Sequence, residues 1–192
     1  MSDKPTQEVW LVRHAETEWS RSGRHTGRTD VALTDEGRER ARALGEVLSR
    51  REFAVVLTSP LDRARDTAAL AGLGELAQLR EDLLEWDYGD YEGITTPDIR
   101  AERPGWYLWR DGVPNGESAD EVAARCDRVI DELVAAAGDV AVFAHGHVLR
   151  ALSARWVEQP VAFGGRLYLA TGSLSVLGFE REVRVIRSWN WD

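Results

Sequence analysis

Short apolar runs alternate along this chain with stretches in which apolar positions recur every three to four residues, the signature of strands separated by helices. The first run, Val9 to Val12, stops at the polar pair Arg13-His14. A polar loop with Gly23 and Gly27 follows. Thr34, with Asp35 and Glu36 behind it, then predicts a helix start with acids in the first turn, continued by Ala41, Leu44, Val47 and Leu48. Ala54 to Thr58 predicts a second buried strand, ended by Ser59-Pro60 as a cap and first-turn proline for another helix. These pieces make a first strand–helix–strand unit.

Leu76 to Leu79 predicts a third strand, after which Leu84 to Trp109 loses clear periodicity and gathers aromatics, glycine and proline. Ser118-Ala119-Asp120-Glu121 is a capping box, and the helix it opens carries Val122, Cys126, Val129, Ile130, Leu133 and Val134 on one face. Cys126 therefore reads as core. Val140 to Ala144 is the clearest buried strand and stops at His145, and Val148 to Trp156 resumes helical spacing. Ser175 to Phe179 and Val183 to Trp189, around a charged turn, predict an edge hairpin. The sum is an α/β chain: a three-layer α/β/α sandwich with a mostly parallel central sheet, helices on both faces and an antiparallel edge strand.

Composition narrows the class. A length of 192 residues suits one domain spanning 1–192, with residues 84–117 as a lid or specificity insertion. No apolar run approaches the ~20 residues of a membrane span, Met1 to Glu8 lacks the apolar core of a signal peptide, and the single cysteine permits no internal disulfide. The expectation is a cytoplasmic protein. With 33 acids against 24 bases, the net charge of -9 argues against nucleic acid and anionic membranes as partners. At first it argues against phosphorylated metabolites too. Of the bases only Lys4 is lysine, so nearly all positive charge sits on arginine, whose planar fork matches phosphate oxygens.

Two of the four histidines, His14 and His145, directly follow apolar strands, and the carboxyl ends of strands line the ligand crevice of an α/β sheet. Arg63 falls in the first turn after Ser59-Pro60, at another strand's end, where helix amides favour an anion. His145-x-His147 is a spacing found in metal sites, but no compact carboxylate–histidine cluster accompanies it in the sequence.

These residues carry a resemblance. LVRHAETEW (Leu11 to Trp19) resembles the signature of the histidine phosphatase superfamily, in its phosphoglycerate mutase-like branch. TSPLDRARDTA (Thr58 to Ala68), LLEWDYGDYEG (Leu83 to Gly93), PNGES (Pro114 to Ser118) and VFAHGHVLRAL (Val142 to Leu152) are similar to its further motifs, in order. WYLWRDG (Trp106 to Gly112) is similar to sugar-phosphatase members compared with sedoheptulose-bisphosphatase. Ala15 stands where the family usually has glycine.

The resemblance implies a phosphatase of small phosphate monoesters. His14 would attack phosphorus and become a phosphohistidine, and Arg13, Arg63 and His145 would bind the equatorial oxygens. Glu85, kept protonated by an apolar setting among Leu84, Trp86 and Tyr88, would give the leaving group its proton and later activate water. Ser20, Thr26, Gly27, Tyr88, Gly146 and His147 correspond to pocket-lining positions, with His25 and Arg110 as weaker suggestions. No cofactor and no metal is implied, and the partner is a small phosphorylated metabolite.

The rivals are a phosphoglycerate mutase, a metal-dependent hydrolase and a noncatalytic phospho-ligand binder. Mutases carry a long insertion between the equivalents of Gly93 and Pro114, where this chain has twenty residues. The tail, with Trp189 and Trp191, would either pack on a second copy as a homodimer or cover the sheet edge.

Overall fold

Strand alternation divides the apolar residues between two faces of one sheet in the computed structural model of the protein, which describes residues 7–191. Lys4 and most of the Met1–Glu8 stretch lie outside the described residues. The strands are β1 (Val9–Arg13), β2 (Val55–Thr58), β3 (Ala77–Leu79), β4 (Val140–Ala144), β5 (Leu174–Glu180) and β6 (Val183–Trp191), in spatial order β3-β2-β4-β1-β5-β6. From β3 to β1 every neighbouring pair is parallel, whereas β5 runs antiparallel to both β1 and β6.

The helices are α1 (Glu18–Ser22), α2 (Asp35–Leu48), α3 (Asp62–Leu70), α4 (Thr96–Glu102), α5 (Leu108–Asp111), α6 (Ala119–Ala135) and α7 (Gly146–Trp156). Trp10, Val12, Val56, Ala141 and Phe143 point to one side of the sheet, onto Leu44 and Leu48 of α2 and Ala68 of α3. Val9, Leu11, Leu57, Val140 and Val142 point to the other, onto Val122, Cys126, Val129 and Leu133 of α6 and Leu149, Leu152 and Trp156 of α7. Period-two burial on the strands thus produces the three layers. Each fully buried Leu or Val contributes roughly 1.5–3 kcal/mol of transfer free energy, and Cys126 is one of these core side chains.

Three local expectations are corrected. β1 and β2 are not neighbours: β4 enters between them, bonded in parallel to both, so the first strand–helix–strand unit is split by a later strand. Ser59-Pro60 does not form the start of α3, which begins at Asp62 behind Leu61 with no side-chain cap. The polar loop after β1 contains α1, opened by a reciprocal capping box between Thr17 and Ser20.

Residues 84–117 fold mostly as turns, with α4 and α5 between them, and their two arms meet backbone to backbone. A Cβ on Gly89, whose φ is 50°, would lie 2.1 Å from the Pro114 carbonyl oxygen, and one on Gly116 would lie 2.3 Å from that of Asp87. Arg125 of α6 fixes the base of the segment. Its Nη1 donates to the carbonyls of Asp82 (2.9 Å) and Leu84 (2.6 Å), and its Nε and Nη2 grip the Glu117 carboxylate at 2.8 and 3.0 Å. In the tail, Trp191 packs edge-on against Trp10 with ring centroids 6.0 Å apart, and the Trp189 indole N–H donates to the Tyr168 carbonyl. Both tryptophans are thus engaged within the chain. None of the described helices is long and apolar enough to cross a membrane.

Candidate active site

The parallel register of β1 on β4 pairs Arg13 with Ala144, so the residues that follow, His14 and His145, emerge side by side. The His14 N–H donates to the Ala144 carbonyl at 2.9 Å, and the two imidazole centroids are 5.2 Å apart. On the far side of β4, β2 delivers Ser59, whose N–H donates to the Phe143 carbonyl. Three strand ends thus converge on one point at the carboxyl edge of the sheet.

The ring nitrogens define the protonation states. Nδ1 of His14 lies 2.8 Å from the Ala15 carbonyl oxygen, an acceptor only, so Nδ1 carries the proton and Nε2 a lone pair. Burial, then the charges of Arg13 and Arg63, hold the His14 pKa well below the usual histidine range, so the ring is neutral at neutral pH. Nδ1 of His145 accepts from Arg63 Nε at 3.1 Å, which leaves its Nε2–H to donate to Ser59 Oγ at 2.7 Å. Burial and the Arg63 charge keep this ring neutral too.

Ala15, at the family's glycine position, has no left-handed backbone. Its N–H donates to Thr67 Oγ1 at 3.0 Å and its methyl packs with Leu33 and Ala41, so alanine asks nothing unusual of the loop.

A cavity of about 350 Å³ opens beside His14. Arg13, Glu85, Ser20, Thr26, Tyr88, Gly146 and His147 line it, as does His25. The Nη1 of Arg13 donates to the Leu169 carbonyl, while its buried Nε has no partner in the protein. Gly146 makes room for that guanidinium, since a Cβ there would lie 3.2 Å from Arg13 Cζ.

The surroundings of Glu85 differ from the apolar setting expected. The residue is buried, but its Oε1 accepts the N–H of Trp86 and Val148, both at 2.8 Å, and its Oε2 that of His147 at 2.9 Å. Two of these donors belong to the first turn of α7. The Tyr88 hydroxyl lies 2.6 Å from His147 Nδ1. Burial raises the phenol's pKa and lowers the imidazole's, so the hydroxyl donates and the ring accepts. His25 is fixed through Nδ1 to the Ile94 carbonyl at 2.7 Å and meets Tyr88 and Trp106 edge-on.

The remaining expected residues lie elsewhere. Arg63, fully buried behind the cavity, donates to the carbonyls of Thr26, Gly27 and Thr29 as well as to His145, and so holds the 26–29 loop against the sheet. Neither Arg63, His145 nor Gly27 lines the cavity. Arg110 is a correction: its guanidinium is exposed, pairs with Asp111, donates to the Gly105 carbonyl and does not face the cavity. The sequence reading missed Ser59, whose Ser-Pro context suggested a helix cap. It also missed Arg24, Arg100 and Arg150, which line the cavity with Trp106 and Trp109. The described residues hold no group of three or more His, Cys, Asp or Glu placed to bind a metal ion.

The chain is 46% identical over 180 residues to a Mycobacterium tuberculosis acid phosphatase, covering 91% of this chain and 87% of that protein. It is 37% identical to the Saccharomyces cerevisiae sedoheptulose 1,7-bisphosphatase over 76% of this chain and 66% of that one. Among solved structures, mycobacterial glucosyl-3-phosphoglycerate phosphatase with bound VO3 superposes with a TM-score of 0.87 at 32% identity, covering 97% of this chain and all of the other. With residues 9–192 matching the model of the histidine phosphatase superfamily (branch 1), the chain belongs to that family.

Proposed function

We propose that this phosphatase hydrolyses small phosphate monoesters, of sugar phosphate or phosphoglycerate type, through a phosphohistidine at His14. The observation that carries the reading is the neutral His14 ring, its Nδ1 proton tied to the Ala15 carbonyl and its Nε2 lone pair left for phosphorus, beside the cavity-facing Arg13. Nε2 attacks in line as the ester P–O bond breaks, and Arg13, through its unpartnered Nε, takes part of the charge on the transferring oxygens. Arg63, behind His14, supplies a positive field, and its Nε–H and the Nε2–H of the neutral His145 ring, bonded at rest to His145 and Ser59, are two further donors that an arriving phosphoryl oxygen competes for.

Glu85 gives a proton to the leaving alkoxide and then takes one from the water that attacks phosphohistidine, breaking the N–P bond and restoring His14. The backbone amides that hold Glu85 fix its carboxyl in the cavity wall for both steps. Residues 84–117, which supply Glu85, Tyr88, Trp106 and Trp109 to the cavity, act as the lid that selects the leaving group. Each step is assigned to a side chain and none to a metal ion, so activity should survive EDTA treatment, and a loss of activity that added metal restores would count against this chemistry.

The test is to trap an acid-labile phosphoenzyme from a labelled ester and repeat the trial with His14→Ala. A phosphoenzyme that persists in the variant, or interconversion of 3- and 2-phosphoglycerate outpacing phosphate release, would overturn this reading.

A further inference from the structure

Trp109 is only 5% exposed although α5, the helix of four residues that carries it, lies in a segment built mostly of turns. Its ring touches two particular residues. It meets the Trp86 ring edge-on, with centroids 5.5 Å apart and planes at 87°, and the His147 ring at 5.4 Å and 47°. Those two residues hold opposite oxygens of Glu85: the Trp86 N–H donates to Oε1 at 2.8 Å and the His147 N–H to Oε2 at 2.9 Å. The two amides come from different parts of the chain, one beside Glu85 itself and one in the first turn of α7, so the direction of the carboxyl depends on the spacing between those parts. Trp109 is the side chain in contact with both.

The rest of the ring is fitted as closely. The turn Val161–Arg166 meets it with glycine at two points: a Cβ on Gly164 would lie 2.7 Å from Trp109 Cη2 and 2.8 Å from Cζ3, and one on Gly165 would lie 3.0 Å from both Cγ and Cδ1. A side chain at either position would displace the indole. The Arg150 guanidinium lies 4.8 Å from the ring centroid, and its Nε donates to the Gly164 carbonyl at 2.9 Å, so cation and turn are tied to each other around the ring. The Tyr107 hydroxyl, two residues before Trp109, donates to the Gly165 carbonyl at 3.0 Å. Contacts this close transmit a displacement instead of absorbing it.

We propose that Trp109 is a positioning residue for Glu85: wedged against Trp86 and His147 and seated on Gly164 and Gly165, it fixes the spacing of the two backbone amides that aim the carboxyl at the leaving group. This proposal rests on the phosphatase reading, in which Glu85 gives the leaving alkoxide its proton. Trp109 transfers no proton and acts only through Glu85. Proton transfer needs donor and acceptor within about 2.6–3.2 Å of each other, and a misplacement of about 1 Å costs roughly a hundredfold in rate.

The role is read from the leaving group. p-Nitrophenyl, phenyl and benzyl phosphate offer the cavity walls the same ring, but nitrophenolate departs without a proton, whereas the benzyl alkoxide needs one. Glu85→Gln sets the scale: it should lower kcat/KM steeply for benzyl phosphate and little for p-nitrophenyl phosphate. Trp109→Leu should shift the ratio of the two in the same direction by roughly tenfold or more, with phenyl phosphate between them. Trp109→Phe, which keeps an aromatic ring against both neighbours, should recover most of the wild-type ratio. Gly164→Ala reaches the indole from a residue that does not line the cavity and should reproduce the shift, which keeps the proposal measurable if Trp109→Leu does not fold.

A tryptophan that merely lines the cavity or supports the fold would slow all three esters alike. Equal losses across the series in Trp109→Leu or, where that variant does not fold, in Gly164→Ala, beside a Glu85→Gln ratio that does shift, overturn the positioning role. A Glu85→Gln ratio equal to that of the wild type would instead remove the proton transfer assigned to Glu85. A wild type that releases phosphate from none of the three esters, nor from any sugar phosphate, would remove the phosphatase reading itself.

Discussion

His14 owes its neutrality to three influences that can be separated: burial, the charge of Arg13 and the charge of Arg63. All three push its pKa down, so the acidic limb of kcat/KM that reports the free nucleophile should fall below pH 6.5, once the ester's own second ionisation near 6 is subtracted. Replacing Arg13 with glutamine removes a positive neighbour, which must raise the His14 pKa and move that limb toward higher pH. A limb that stays in place would show that Arg13 does not act on the ring. Gly146→Ala tests the same guanidinium sterically, because the new methyl presses on Arg13 Cζ. Misplacing a clamp by tenths of an ångström should cost roughly tenfold in kcat/KM with little change in melting temperature. Cys126 is the contrasting residue: burial pushes its thiol up to about 12, so a thiol reagent should leave it unmodified until the protein is unfolded. His14 and Arg13 were legible because they interrupt an apolar run at its carboxyl end. Ser59 was not, since nothing local tells a serine that meets a histidine from one that caps a helix. Arg24, Arg100 and Arg150 were hidden among many arginines, since nothing local marks the ones that face a cavity.

At the scale of elements, the long strands and α2, α6 and α7 could be read from periodicity because one sheet face dictates each pattern. Residues 84–117 could not, since their shape is set by contacts distant in sequence: Gly89 against Pro114, Gly116 against Asp87, and Arg125 against the carbonyls of Asp82 and Leu84. The insertion of β4 between β1 and β2 was equally invisible, because both orders bury the same residues. Arg125 is the keystone of the segment that carries Glu85, and its pair with Glu117 is largely shielded from water. Arg125→Met would strand the Glu117 carboxylate and free two carbonyls, a loss of about 3–5 kcal/mol, or roughly 10 °C in melting temperature for a chain of this size. The loosened Glu85 should lower kcat more than it raises KM, because the proton transfer proposed for it depends on its position. Unchanged kcat at a lowered melting temperature would mean that Arg125 supports the fold without positioning the acid.

For the whole molecule, the net charge of -9 and the arginine-lined cavity coexist because acids on the outer surface set the total while local groups set the field where a ligand binds. The histidines add a second global property. All four, His14, His25, His145 and His147, are buried or partly so, and burial lowers every one of their pKa values. In the unfolded chain they titrate near 6.5. Above that pH both states are neutral and the histidines leave stability unchanged. Below it the unfolded state takes up protons that the folded state refuses, so stability must fall with falling pH, by about 1.4 kcal/mol per pH unit for each histidine still neutral in the fold. The carboxylates held low by their partners, Asp111, Glu36 and Glu121, titrate in the unfolded chain only near pH 4, so the window from 6.5 to 5 belongs to the histidines. Three or four such groups compete there with a total stability of only about 5–15 kcal/mol. Urea midpoints measured at pH 8.5, 7.5 and 5.5 should be similar for the first two and markedly lower at the third. His147→Gln should flatten the decline by removing one proton from the difference. Midpoints independent of pH across this range would mean that the rings are not held neutral, and the lone pair assigned to His14 would lose its basis.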